Sequence, residues 1–341
     1  MSIAAANKSM MFAEAGEASK VVTLQRAENA ALMTDLARRL RRLDPQIIFT
    51  CARGSSDHGA TFAKYLFETR LKVPTLSQAP SISSIYGGNL LHMKDQPFIV
   101  ISQSGKSPDL LLSAQAAREA GALVIAFVND VASPLAQIAE IVVPLHAGPE
   151  KSVAATKSYI ATLAAFAHLV GEWTGDPELQ MAVDALPETL AAAWSADWSA
   201  GVDRFANASS MFVLGRGLTL GVAQEAALKF KETCCIHAEA FSIAEVAHGP
   251  MALVKQDFPV LVFPPFDKAA IGLDVILAQF AQRGANIVSA GGLLPLATGL
   301  HDVTAPIAMV QSFYAMVNAL SIRRGYDPDH PPMLNKVTQT R

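Results

Sequence analysis

Three serines, a glycine and a proline fall together in Gln96-Pro97-Phe98-Ile99-Val100-Ile101-Ser102-Gln103-Ser104-Gly105-Lys106-Ser107-Pro108-Asp109, where a continuously apolar run gives way to a helix start. Ser102, Ser104 and Ser107 can each donate a hydrogen bond, Gly105 lets the backbone approach a ligand closely, and Pro108 suits a first helical turn. Free amides and the positive end of that helix would face an oxyanion, and phosphate is the commonest biological anion of that size. An ordinary capped turn has the same composition, so the segment by itself leaves both readings open.

A second constellation lies in Gln224-Glu225-Ala226-Ala227-Leu228-Lys229-Phe230-Lys231-Glu232. Glu225, Lys229 and Glu232 stand four and three apart, so a helix places them on one face, either as a solvated stripe or as an acid-base set. The next segment, Cys234 to Phe241, is apolar with isolated ionisable groups, which speaks against an exposed face. His248 follows in Glu245-Val246-Ala247-His248-Gly249-Pro250, a turn that would present an imidazole at an opening. A histidine beside carboxylates and a glycine turn is an acid-base candidate.

The elements that must position these groups alternate. An N-terminal helix, about Met10 to Leu43, precedes a strand (Gln46 to Cys51), a glycine loop, a helix (Ser56 to Leu71) and a strand (Thr75 to Ser77). The strand Phe98 to Ser102 follows, then a helix from Pro108 to Ala120, a strand from Ala122 to Asn129, a short helix from Ser133 and a strand from Ile141 to Leu145. Strands that are apolar throughout and alternate with helices predict an α/β fold with a parallel sheet covered on both faces. The second half repeats the order. Met211 to Gly217 echoes Ile47 to Gly54, and Pro259 to Phe263 leads to Arg283 to Val288 as Pro97 to Ile101 leads to Glu119 to Val124. A duplication is expected. The copies differ at Pro264-Pro265-Phe266-Asp267, which replaces the serine loop and adds a negative charge, so only the first copy should hold phosphate. The predicted organisation is a helical segment 1–44, a phosphate-binding domain 45–175, a bridging helix in 176–202 with Trp194 and Trp198 as packing residues, a second domain 203–326 and a tail 327–341.

With 341 residues, 51% hydrophobic and 17% charged, the chain can bury two cores of ordinary size. A formal net charge of -3 gives no electrostatic reason to expect nucleic acid or an anionic membrane as partner. Met1 to Met11 holds no apolar core for export, and stretches such as Ala122 to Val128 are too short to span a bilayer, so a cytoplasmic location is expected. Cys51, Cys234 and Cys235 fit neither a disulfide framework nor a zinc site and read as buried small apolar residues.

Four motifs in order carry a family resemblance: Ser102-Gln103-Ser104-Gly105, the run Ala147-Gly148-Pro149-Glu150 to Ala154-Ala155-Thr156-Lys157, the block Glu225 to Gly249, and the late Lys336. Together they resemble the isomerase half of glucosamine-6-phosphate synthase, a pair of sugar isomerase (SIS) domains, over nearly the whole chain from about Ile47. The resemblance implies two tandem flavodoxin-like SIS domains and a sugar-phosphate substrate. It assigns phosphate binding to Ser102, Gln103, Ser104 and Ser107, with Ser56 beside them, and sugar contact to Val153 and Ala155, where the family often has serine at the latter position. Glu232 falls on the carboxylate that shuttles a proton between C1 and C2, His248 on the histidine of ring opening, Lys229 on a supporting lysine, and Lys336 on the lysine that forms a Schiff base with the open ketose. A homodimer is implied as well, because the family's histidine loop reaches the neighbouring subunit's site.

The chemistry agrees. One carboxylate on a rigid helix can serve two adjacent sugar carbons without metal or nicotinamide, so no cofactor is expected, and a histidine suits ring opening near neutral pH. A Schiff-base lysine needs burial or a nearby cation to lower its pKa; an exposed terminal lysine is the other reading of Lys336. The synthase draws ammonia from a glutaminase domain with an N-terminal cysteine, whereas this chain opens on the helix before the SIS pair and has no cysteine before Cys51. The expected direction is therefore the reverse, as in the SIS-type glucosamine-6-phosphate deaminases: glucosamine 6-phosphate and water to fructose 6-phosphate and ammonia. The alternatives are a galactosamine-6-phosphate deaminase, a fructosamine-phosphate deglycase, a plain aldose-ketose isomerase and a non-catalytic sugar-phosphate sensor.

Overall fold

Two parallel sheets organise the computed structural model of the chain, which describes residues 9–88 and 93–336. The described residues gather into two compact units, 20–149 with 161–184, and 9–19 with 150–160 and 185–336. These units differ from the sequential divisions expected at 44, 175, 202 and 326. The N-terminal helical segment is divided between them after Ser19: α1 (Met10–Gly16) and the first two residues of α2 (Ala18–Leu43) fall in one unit and the rest of α2 in the other.

In the unit that holds residues 20–149, β1 (Ile48–Cys51), β2 (Thr75–Ser77), β3 (Pro97–Ser102), β4 (Leu123–Val128) and β5 (Ile141–Pro144) run parallel in the order β2-β1-β3-β4-β5. Every residue of β1, β3 and β4 is buried, as strands covered on both faces require. Between them come α3 (Ser55–Leu66), α4 (Pro80–Ser84), α5 (Pro108–Glu119) and α6 (Pro134–Ile138). The helix expected over 56–71 continues past Leu66 as a π-helical stretch and stops at Lys72, whose φ of 62° is left-handed. Farther along the chain lie α7 (Lys157–Thr174) and α8 (Pro177–Asp184).

In the other unit, β6 (Ser210–Gly215), β7 (His237–Ser242), β8 (Pro259–Val262) and β9 (Asn286–Ser289) repeat that order as β7-β6-β8-β9, with no fifth strand among the described residues. Its helices are α9 (Leu186–Trp194), α10 (Ser199–Phe205), α11 (Leu218–Cys234), α12 (Leu273–Gln282) and α13 (Ala305–Arg323). The duplication extends to backbone angles: Gly54 before α3 has φ 54°, ψ -133°, and Gly217 before α11 has φ 61°, ψ -131°. Side chains other than glycine rarely adopt that conformation, so both glycines serve the same turn from sheet to helix.

Three local expectations are corrected. The bridging helix of 176–202 is instead α8, α9 and the start of α10, with the break at Ala185 where Pro187, in the first turn of α9, has no N–H to continue the hydrogen-bond ladder of α8. His237 and Glu239 are exposed while Ala238 between them is buried, so the segment 234–241 is not an apolar run with isolated charges: it holds the end of α11 at Cys234 and then, from His237, an edge strand that starts with alternating burial. Cys51 and Cys234 are buried and burial pushes both thiols up to about 12, whereas Cys235 is exposed and left-handed at the end of α11. The tryptophans do pack: Trp194 lies 4.6 Å from Phe12 between ring centres, and Trp198 Nε1 donates to the Pro295 carbonyl at 2.8 Å. Among the described residues one helix, α13, is long and apolar enough to cross a membrane, and 83% of its apolar window is buried in protein.

Candidate active site

The serine loop closes on itself, with two of its hydroxyl oxygens accepting from its own amides. Ser102 Oγ accepts from the Gly105 amide at 3.0 Å and Ser104 Oγ from the Lys106 amide at 3.4 Å, so each hydroxyl can still donate outward. Gly105 has a φ of +63°, and a Cβ there would lie 2.1 Å from Ser133 Oγ, so the turn requires glycine. Ser107 is the N-cap of α5 without a side-chain capping bond, and Pro108 occupies the first turn. Gln103 is partly exposed and its carbonyl accepts from the Asn129 amide at 3.3 Å. Because β1 and β3 are parallel neighbours, their following loops emerge side by side at the carboxyl edge, where the winding of the sheet reverses direction. Ligands of open α/β sheets bind at such reversal points. Ser56, in the first turn of α3, belongs to the same edge. In the other sheet the corresponding loop after β8 has no hydroxyl, and Asp267 caps its own turn by accepting from the Ala269 amide at 2.9 Å.

In the unit that holds residues 185–336, α11 buries the face that carries Glu225, Lys229 and Glu232. Side-chain exposures are 0%, 1% and 19%, so the solvated stripe is excluded and Glu232 is the one carboxylate within reach of a ligand. Lys229 Nζ lies 2.5 Å from Glu232 Oε2 and 3.3 Å from Glu225 Oε1. Burial alone would depress this ammonium, but the two carboxylates outweigh it and hold its pKa above the ordinary lysine value. Lys229 therefore stays charged at neutral pH and orients the carboxylates instead of acting as a nucleophile. From α13, Tyr314 donates its hydroxyl to Glu225 Oε1 at 3.2 Å. Tyr159 of α7 donates to the Gly221 carbonyl at 3.1 Å. Burial, reinforced by the Glu225 charge, raises both phenols well above their ordinary value, so they remain donors.

The loop that opens at Glu150 is tied from inside. Glu150 is fully buried and accepts from the Thr156 amide (2.9 Å), the Ser158 amide (3.2 Å) and the Ser158 hydroxyl (2.6 Å), with Lys336 Nζ at 3.3 Å. Burial would raise its carboxyl, but Lys336 and these donors outweigh it and hold the pKa below the ordinary value. Glu14 of α1 takes the Lys151 amide at 2.5 Å and the Ser152 amide at 3.2 Å. Val153 and Ala155 sit partly exposed in this braced loop. Lys336 is therefore held on a buried carboxylate, and the reading as an exposed terminal lysine is set aside. His248 is solvent-exposed beside Gly249, whose φ is +129°, and makes no hydrogen bond or ion pair with Glu225, Lys229 or Glu232 among the described residues.

Lys229 and Glu232 are thus brought together, Val153 and Ala155 share the braced loop whose Glu150 holds Lys336, the serines and Ser56 share one sheet edge, and His248 joins none of these groups. Sequence reasoning assigned no role to Glu150, Tyr159 or Tyr314. Its one available signal was polar character in apolar helices, as in Gln311-Ser312-Phe313-Tyr314 of α13. Among the described residues no three histidine, cysteine or carboxylate side chains are grouped to hold a metal.

The SIS domain model matches residues 43–170 and 204–291. The glutamine–fructose-6-phosphate aminotransferase (isomerizing) of Methanothermobacter thermautotrophicus is 32% identical over 306 residues, covering 84% of this chain and 50% of that protein. The chain thus spans about half the length of that curated relative. A solved protein from Silicibacter pomeroyi, classed by inference as a phosphosugar isomerase, is 41% identical with a TM-score of 0.88, covering 94% of this chain and all of the other. The glucosamine-6-phosphate deaminase of Thermotoga maritima shares the fold at a TM-score of 0.75 and 22% identity, covering 95% of this chain and all of that one.

Proposed function

The chain belongs to the SIS-domain family, and on that premise we propose that it is an amino-sugar-phosphate deaminase, converting glucosamine 6-phosphate and water to fructose 6-phosphate and ammonia. The observation that carries the reading is the buried Glu225, Lys229 and Glu232 set, which leaves one carboxylate partly exposed beside a fixed positive charge. Such a group can take the C2 proton of an open-chain sugar and return it to C1 without leaving its helix. The phosphate is assigned to Ser102, Gln103, Ser104, Ser107 and Ser56, and sugar contact to Val153 and Ala155. His248 is assigned to ring opening, supplied across a homodimer, and Lys336 to a Schiff base with the open ketose. Proton transfer from C2 to C1 gives the ketose imine, and addition of water to its C=N bond releases ammonia and leaves the C2 ketone.

A plain aldose-ketose isomerase is the second reading, favoured by the full-length similarity to the protein classed as a phosphosugar isomerase. It would use the same carboxylate and release no ammonia. A sugar-phosphate sensor is disfavoured because three charged groups in a helix face cost several kcal/mol of desolvation each, which binding alone does not require. The test is ammonia release from glucosamine, galactosamine and fructosamine phosphates, with glutamine plus fructose 6-phosphate as control. Ammonia from an amino-sugar 6-phosphate supports the reading and identifies the sugar. Interconversion of neutral sugar phosphates with no ammonia from any substrate would transfer the assignment to the isomerase.

A further inference from the structure

We propose that Arg53, on the loop after β1, is a further anion-binding residue of the phosphate cradle, held in place by the buried carboxylate of Asp109. The proposal rests on the reading of the serine loop as a phosphate site and adds a cation to a set otherwise made of hydroxyls, one amide side chain and backbone. Register places it: Cys51 pairs with Val100 across β1 and β3, so two residues further on Arg53 comes level with Ser102 at the reversal point of the sheet. Its guanidinium is anchored from one side. Nε and Nη2 both contact Asp109 Oδ2 at 2.8 Å, while the Arg53 side chain keeps 48% exposure. Two of its five N–H donors are spent on that contact, which leaves three for a ligand.

The charge balance at this edge gives the pair a reason. Asp109 sits in the first turn of α5 with 0% side-chain exposure, and an uncompensated carboxylate there would repel an anion at the helix start. Arg53 cancels that charge and at the same time gains a fixed orientation. Lys106, the loop's own cation, is turned to Asp130 at 3.2 Å with more than half of its side chain exposed, so it is a solvated pair. Asp57, in the first turn of α3, has its carboxyl pushed up by burial against the pull of His58 and Arg53. A planar guanidinium with several remaining donors suits a phosphomonoester dianion, whose oxygens accept two bonds at once.

The experiment measures binding of glucose 6-phosphate, which has no amine to release, and of inorganic phosphate, by calorimetry between pH 5 and 8. Arg53→Gln is paired with the double variant Arg53→Gln/Asp109→Asn, which leaves no buried carboxylate unpaired and so protects the fold. Ser104→Ala serves as the reference for the loop. Affinity in the double variant should fall about tenfold or more, and the wild-type gain in affinity through the second phosphate ionisation near pH 6 should flatten, while Ser104→Ala weakens binding but keeps that gain. A double variant that binds both probes as the wild type does, with Ser104→Ala weakened, overturns the role of Arg53 and leaves the cradle standing. Unchanged binding in every variant overturns both. Absence of ammonia release with these binding effects intact would refute only the proposed reaction.

Discussion

Replacing Lys229 with methionine is the sharpest perturbation of the carboxylate set, because it removes one buried charge and strands two. At separations of 2.5 Å and 3.3 Å the gross attractions to Glu232 and Glu225 are about 7 and about 5 kcal/mol at an effective dielectric near 20. Most of that is offset by desolvation of all three groups, and breaking such a pair from one side costs about 3–5 kcal/mol. The loss falls mainly on Glu225, which at 0% exposure cannot be rehydrated and for which the Tyr314 hydroxyl is a neutral donor that does not replace the ammonium. Glu225→Gln/Lys229→Met should therefore regain much of the stability, since only the partly exposed Glu232 is then left without a counter-ion. The single variant should also lose less as pH falls, because Glu225 can then take up a proton. Urea unfolding in a Trp173→Phe background, read from Trp194 and Trp198 in the same unit as Lys229, measures all three proteins between pH 5 and 8. A single variant that loses less than about 1 kcal/mol, with no dependence on pH and no recovery in the double, would refute the account of α11.

Ser104→Ala removes a charge-assisted donor worth about 1.5–3 kcal/mol, so phosphosugar binding should weaken about tenfold or more while the unfolding midpoint stays unchanged. Glu150 has a lowered folded pKa, so its contribution to stability is full above the ordinary value of 4.5 and is lost as pH falls through the folded value. Glu150→Gln should accordingly be less stable at neutral pH and show a flatter acid limb, which urea midpoints between pH 3 and 7 will reveal.

Much of the fold was legible because its signals are local. Six-residue apolar strands such as β3 and β4 can only be covered on both faces, and the glycines before α3 and α11 mark matching turns. The edge strand β7 was harder, since its alternation of His237, Ala238 and Glu239 spans few residues and its pairing with β6 is a tertiary fact. The spacing of Glu225, Lys229 and Glu232 gave a shared face but not its burial, which depends on α13 and Tyr314 nearly ninety positions away. The link between Glu150 and Lys336 spans 186 positions, and no local pattern encodes it. Ser102, Ser104 and Gly105 were readable because the cradle is built from one contiguous loop.

The most direct test of the central claim follows the proton. Glucosamine 6-phosphate labelled with deuterium at C2 is incubated with the purified wild-type chain and with Glu232→Gln, and label at C1 of fructose 6-phosphate, label in solvent and ammonia are measured together. The account predicts that the wild type releases ammonia and moves label from C2 to C1 or to solvent, while Glu232→Gln does both about a hundredfold more slowly yet still binds the sugar phosphate. Undiminished label loss and ammonia release in Glu232→Gln would contradict it.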